Sequence, residues 1–202
     1  MEVKRKYITI TNIIICINCI IFLALSLVGR TENGYFLLEV GALYYPYVEE
    51  YQEYYRIITS IFLHSGIQHL GNNMLLLFII GNEVEKVIGK GKYLLIYILA
   101  GIGGNIFSIL HEIQVDEYVI SVGASGAVFG ILGAMLWVAI RNKGQIGNIT
   151  IRGIIVVICI SLYVGITSTG INNFAHIGGL AVGGIFGVFL YTNHKKSSEL
   201  VN

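Results

Sequence analysis

Residues 123–141 read GASGAVFGILGAMLWVAIR, and Lys143 follows closely. From Ser125 to Ile140 the stretch carries no charge. Its 16 residues make a helix of about 24 Å at ~1.5 Å per residue. A bilayer's hydrocarbon core is about 30 Å thick. If Arg141 and Lys143 mark one surface, Ser125 starts below the other. A helix that begins inside a membrane leaves backbone N–H groups unpaired, and only protein or a water-filled cavity satisfies them there. Ser125 is therefore expected at the floor of a wet depression. Gly126, Gly130 and Ala134 recur every four residues and give the helix a face of small side chains for close packing.

The rest of the chain shares this apolar character. Of 202 residues, 55% are hydrophobic and only 12% charged, about half the usual charged share. That composition excludes a soluble globular enzyme, a disordered chain and a nucleic-acid-binding protein. Five further apolar runs flank the first: Tyr7 to Val28, Ile67 to Ile88, Tyr93 to Leu110, Gly153 to Thr167 and Phe174 to Tyr191. The run from Tyr7 is longer than a signal-peptide core, despite a weak cleavage-like triplet at Ala24-Leu25-Ser26. The expected fold is an all-α membrane protein, a six-transmembrane helix bundle forming one domain over 1–202. Short tails at 1–6 and 192–202 and a loop at about 29–56 complete it.

Charge orients the bundle. With the N-terminus inside, the inner segments hold Lys4, Arg5, Lys6, Lys86, Lys90, Lys92, Arg141, Lys143, Arg152, Lys195 and Lys196, which is 11 of the 13 basic residues. Arg30 and Arg56 alone fall outside. Positive charge stays cytoplasmic, so both termini are expected inside. Spans two, four and six then run inward. Their polar first turns, with His69, Ser125 and His176, meet near the outer face. The loop at 29–56 carries seven of 13 tyrosines, an aromatic set suited to the membrane–water boundary. It is read as a folded, interface-lying segment.

Three clusters can do chemistry. Gly123-Ala124-Ser125-Gly126 puts a serine between glycines that let the chain bend and a substrate approach. The helix N-terminus suits an oxyanion. Ala175-His176-Ile177-Gly178-Gly179 opens span six, where Ala175, Gly179, Gly183 and Gly187 form a second small-residue ladder. Two ladders can bring His176 to Ser125 as a general base. His69 and Asn73, four apart on one face, can donate hydrogen bonds to the same oxyanion.

These motifs resemble the rhomboid intramembrane serine proteases. Gly123-Ala-Ser125-Gly126, His69-xxx-Asn73 and Ala175-His176-xx-Gly179 match in order and on the expected spans. The resemblance implies a dyad with Ser125 as nucleophile and His176 as base. His69, Asn73 and the Ser125 N–H would form the oxyanion hole. It also implies substrates that are single-span membrane proteins, cut near the outer boundary after a small residue and at weakly helical sequence. They would enter from lipid beside span five, and the Thr167–Asn173 loop would lift from the site. Tyr55-Arg56-Ile57-Ile58-Thr59, with Phe62 and His64, looks like the family's entry into span two, with Tyr-Arg where many members have Trp-Arg. Where some members stack a tyrosine on the histidine, this chain has Phe129, which keeps the ring and lacks the hydroxyl.

Other chemistries fit less well. Asp116 is the only aspartate, so an aspartyl protease, which needs two, is excluded. His111-Glu112 meets Val115 where a zinc protease needs its second histidine. Cys16, Cys19 and Cys159 lie in apolar runs and suggest neither disulfides nor a metal site. No cofactor, metal or nucleic-acid partner is expected. A transporter would pair charges within its spans, and apart from the histidines the span centres hold none. A catalytically silent rhomboid-like protein that binds transmembrane helices is the alternative. Such relatives usually lack the serine or the histidine. Localisation in the plasma membrane, with the site opening to the extracytoplasmic side, is expected from the charge pattern and the absence of an organellar targeting segment.

Overall fold

The computed structural model describes residues 8–168 and 170–191. The expected tails, with their five basic residues, and Tyr7 lie outside the described residues. Within them the chain forms α1 (Ile10–Val28), α2 (Gly34–Glu39), α3 (Tyr45–Glu50), α4 (Arg56–Thr59), a 3-10 turn (Ser60–Phe62), α5 (Ile67–Ile88), α6 (Lys90–Val115), α7 (Ser125–Arg141), a hairpin of β1 (Gln145–Ile146) and β2 (Ile149–Thr150), α8 (Ile151–Thr167) and α9 (Asn173–Leu190). The two strands are antiparallel, with Gln145 opposite Thr150. Helices α1, α6 and α9 are long and apolar enough to cross a membrane; α7 and α8 are shorter apolar helices.

Helix α7 is the centre. Its glycines and apolar side chains are buried from Gly126 through Met135. It packs on α9, α6 and α5, while α1 lies against α5 and α8 is peripheral. Small residues explain the tightness. A β-carbon on Gly133 would lie 2.8 Å from the Gly184 amide nitrogen. One on Gly183 would fall on the Gly130 carbonyl. Backbones that close gain dispersion contacts along their whole length.

Helix α6 runs farther than the apolar pattern, to Val115 and not Leu110. The extra turn is amphipathic. Its Glu112 is buried and accepts from the Ser108 hydroxyl at 2.8 Å, so the polar end is satisfied inside the protein. The connection to α5 is a single residue, Gly89, at φ +87. Helix α1 starts on a carboxylate from another helix. Glu85 accepts from the Ile10 N–H, the Thr11 N–H and the Thr11 hydroxyl, each at 2.8 Å. An anion there meets the unpaired N–H groups and the positive end of the helix dipole.

The segment at 29–56 is folded. Asn33 caps α2 by accepting from Tyr35 N–H and Phe36 N–H, and Pro46 sits in the first turn of α3. Arg56 is 3% exposed. It donates to the carbonyls of Leu38 and Ala42 at 2.6 and 2.8 Å and pairs with Glu53. The rings of Tyr47 and Tyr55 lie over it at 5.0 and 5.4 Å. One guanidinium thus ties the end of the segment back to its middle, with its charge satisfied by a fork of acceptors.

Candidate active site

The chain enters α7 through an extended segment held on both sides. Ser121 pairs with Leu43 through two backbone hydrogen bonds, of 2.8 and 3.0 Å, and the Gly123 N–H donates to the Ser60 carbonyl at 2.9 Å. Gly123 has φ +128, a conformation that side chains strain. The helix then begins at Ser125 with no side chain capping its first N–H groups. They remain available to a developing oxyanion.

His69, in the first turn of α5, faces this turn of backbone. A β-carbon on Gly123 would sit 2.8 Å from His69 Nε2 and 3.8 Å from Ser125 Oγ. Glycine therefore lets the imidazole approach this backbone where a β-carbon would clash with it. Asn73 is buried one turn further along, and its amide donates back to the His69 carbonyl at 3.1 Å. An amide carries two N–H groups, so one stays free for a ligand.

His176 lies in the first turn of α9, 6% exposed. Its ring stacks on Phe129, with centroids 4.3 Å apart and planes at 6°. Nδ1 is buried without a hydrogen-bond partner among the described residues. Packing against Phe129, not a carboxylate, orients the ring. The first turns of α7 and α9 touch through backbone: a β-carbon on Gly126 would lie 3.4 Å from the Ala175 carbonyl oxygen. One on Gly179 would fall on the Gly126 carbonyl. Ser125 and His176 start adjacent helices at this contact. No hydrogen bond joins Ser125 Oγ to His176 among the described residues. Such bonds are often long in a ligand-free site and tighten with substrate.

Two groups of residues had no assigned role in the sequence pattern. The first is His64, whose Nε2 accepts from the Ala124 N–H at 3.4 Å, directly before the serine. Its ring lies 5.2 Å from that of His69, edge to face. Burial above all, and the neighbouring His69, hold its pKa down to about 3, against an opposing contribution from the Phe62 carbonyl. His64 is thus a neutral acceptor at ordinary pH. Its spacing of five from His69 across Gly66 was the available signal. The second group is Ser108, Ser121 and Asn172, hydroxyls and an amide that converge beside the first turn of α9. They lie on three elements, and no spacing pattern links them.

The Rhomboid domain family model matches residues 51–193. The chain is 40% identical to rhomboid protease GluP of Bacillus subtilis (strain 168) over 178 residues, covering 88% of this chain and 34% of that protein. It is 38% identical to RHOMBOID-like protein 4 of Arabidopsis thaliana over 160 residues, 76% of this chain and 38% of the relative. A third relative, RHOMBOID-like protein 6, mitochondrial, of Arabidopsis thaliana, is 38% identical over 169 residues, 81% of this chain and 52% of its own length. The chain therefore spans between a third and about half of the length of these relatives.

Proposed function

Since the chain belongs to the rhomboid family, we propose that it is an intramembrane serine endopeptidase that cuts single-span membrane proteins with a Ser125–His176 dyad. The observation that carries this reading is the backbone contact between the first turns of α7 and α9, with Phe129 flat against His176. Ser125 Oγ attacks the scissile carbonyl carbon while His176 Nε2 takes the hydroxyl proton. The carbonyl electrons move to oxygen. That oxyanion meets the Ser125 N–H, the second Asn73 N–H and His69. Collapse breaks the C–N bond, and His176 passes its proton to the leaving amine. Water then hydrolyses the acyl-serine by the same route. Gly123 supports this reading, because a β-carbon there would press on the His69 imidazole.

The bundle crosses the membrane six times with both ends inside, as the 11 inner basic residues argue. The site opens to the extracytoplasmic face of the plasma membrane. Substrate enters from lipid beside α8, and the connection after Thr167 lifts to admit it. The whole stretch 1–202 is read as one membrane domain.

The test is labelling of the detergent-purified protein with a fluorophosphonate, which phosphonylates activated serines and releases fluoride. The parent labels; Ser125→Ala and His176→Ala do not. Asn73→Ala labels more slowly, by at most about 10²-fold given the remaining donors. Equal labelling of Ser125→Ala and the parent overturns the mechanism. A folded parent that does not label points to a silent helix-binding protein.

A further inference from the structure

We propose that Asn172 and Ser121 form a brace that sets the spacing between Ser125 and His176, which makes both positioning residues of the dyad. The inference rests on the dyad reading above. Ser121 stands four residues before Ser125, and Asn172 stands four residues before His176. The Asn172 amide donates to the Ser121 hydroxyl at 3.1 Å, joining the two approach segments directly.

Every polar atom of this side chain is engaged. Oδ1 accepts from the Ala175 N–H at 3.1 Å and so caps α9. That backbone donor fixes which way the amide faces. Of the two amide hydrogens, one goes to Ser121 and the other to Ser108, whose own proton goes to Glu112. The Asn172 carbonyl accepts from the His176 N–H at 3.4 Å. The side chain therefore grips the base's helix with its oxygen and the nucleophile's approach with its nitrogen. Ser121 cannot drift, because its backbone is paired with Leu43. Ser108 cannot drift either, because it is 1% exposed within α6. Removing the brace leaves each helix formed but loosens the spacing between them. Misplacement of about 1 Å in such a site costs on the order of 10²-fold in rate.

The experiment measures the rate of fluorophosphonate labelling and the thermal midpoint of the full chain in detergent. The variants are Ser121→Ala, Ser121→Thr, Asn172→Gly, and the double variant of Ser121→Ala with Asn172→Gly. Glycine costs little as a helix cap, and threonine suits the extended backbone at 121 while keeping the hydroxyl. Ser121→Ala is expected to label roughly ten times more slowly, a fraction of the loss for a full ångström. Its thermal midpoint should stay near that of the parent, and Ser121→Thr should restore the rate. The double variant should be no slower than Asn172→Gly alone, since losing Asn172 already removes the bond that Ser121→Ala breaks. Parent-like labelling by Ser121→Ala overturns the brace, as does a loss that threonine does not restore or that follows the folded fraction. A folded parent that does not label overturns the dyad reading itself, and this inference with it.

Discussion

Helices α7 and α9 meet backbone to backbone, whereas α8, of the same 17-residue length as α7, hangs at the edge of the bundle. Helix α9 buries Ala175, Gly178, Gly179, Gly183 and Gly187, all on the face toward its neighbours, together with His176. Helix α8 buries only Ile154, Ile158 and Gly165, and presents Ile160, Tyr163 and Ile166 outward. Both helices are apolar; they differ in side-chain size. Lipid is as apolar as leucine, so apolar surface alone does not pull helices together in a membrane. Small residues do, by admitting close backbone contact. Ser125 and His176, the proposed dyad, stand on the tight pair. The element beside which substrate is proposed to enter is the loose one.

The hardest blow to this contrast is Gly183→Val. Its β-carbon falls on the Gly130 backbone, which cannot yield without parting the helices. A loss of about 3 kcal/mol or more is expected from overpacking, read as a lower thermal midpoint together with lost fluorophosphonate labelling. A parent-like midpoint would mean that the ladder does not hold α7 to α9. Phe129→Ala separates orientation from packing. It removes the ring that lies on His176, so labelling should slow by roughly tenfold. Labelling at the parent rate would show that the stack does not orient the base.

A pH series sharpens the tight side further. Folded His64 stays neutral down to about 3, whereas an unfolded histidine protonates near 6.5. Between those values the unfolded chain binds the extra proton. The stability due to neutral His64 is complete above the unfolded pKa and drains away as pH falls toward the folded one. The thermal midpoint should therefore drop on acidification, and drop less in His64→Gln, whose amide oxygen can still accept from Ala124. Identical slopes would remove His64 from the account. The smallest effect belongs to α8. A β-carbon on Gly153 meets nothing closer than Thr150 Oγ1 at 3.7 Å. Gly153→Ala should raise stability slightly, by up to about 1 kcal/mol. A marked loss there would mean that α8 is held as closely as α9.

Much of the site could be read from the chain. The ladders at Gly126, Gly130, Ala134 and at Ala175, Gly179, Gly183 lie on the helices that touch, since a four-residue repeat is a property of one helix alone. The helix start at Ser125 was legible from its charge-bounded length. The full length of α6 was not. Ser108 and Glu112 look like a polar exit from the membrane until Asn172, 64 residues beyond Ser108, covers them. Asn73 also departs from the simplest pattern: its position on α5 matches the motif, but one amide hydrogen is spent on its own helix.

The sequence by itself determined the apolar helical runs, the uneven spread of basic residues between them, the motifs that match the family, and the helix starts at which Ser125 and His176 stand. The runs follow from composition and periodicity, which act over a few neighbouring residues, and the family from three short motifs that resemble it in order. Only the tertiary structure decided that Glu85 caps a helix 74 residues away, that His64 holds the residue before the serine, and that Asn172 reaches Ser121 across 51 residues. A buried donor must find an acceptor, but which one it finds depends on what packing brings within about 3 Å, and no local pattern records that.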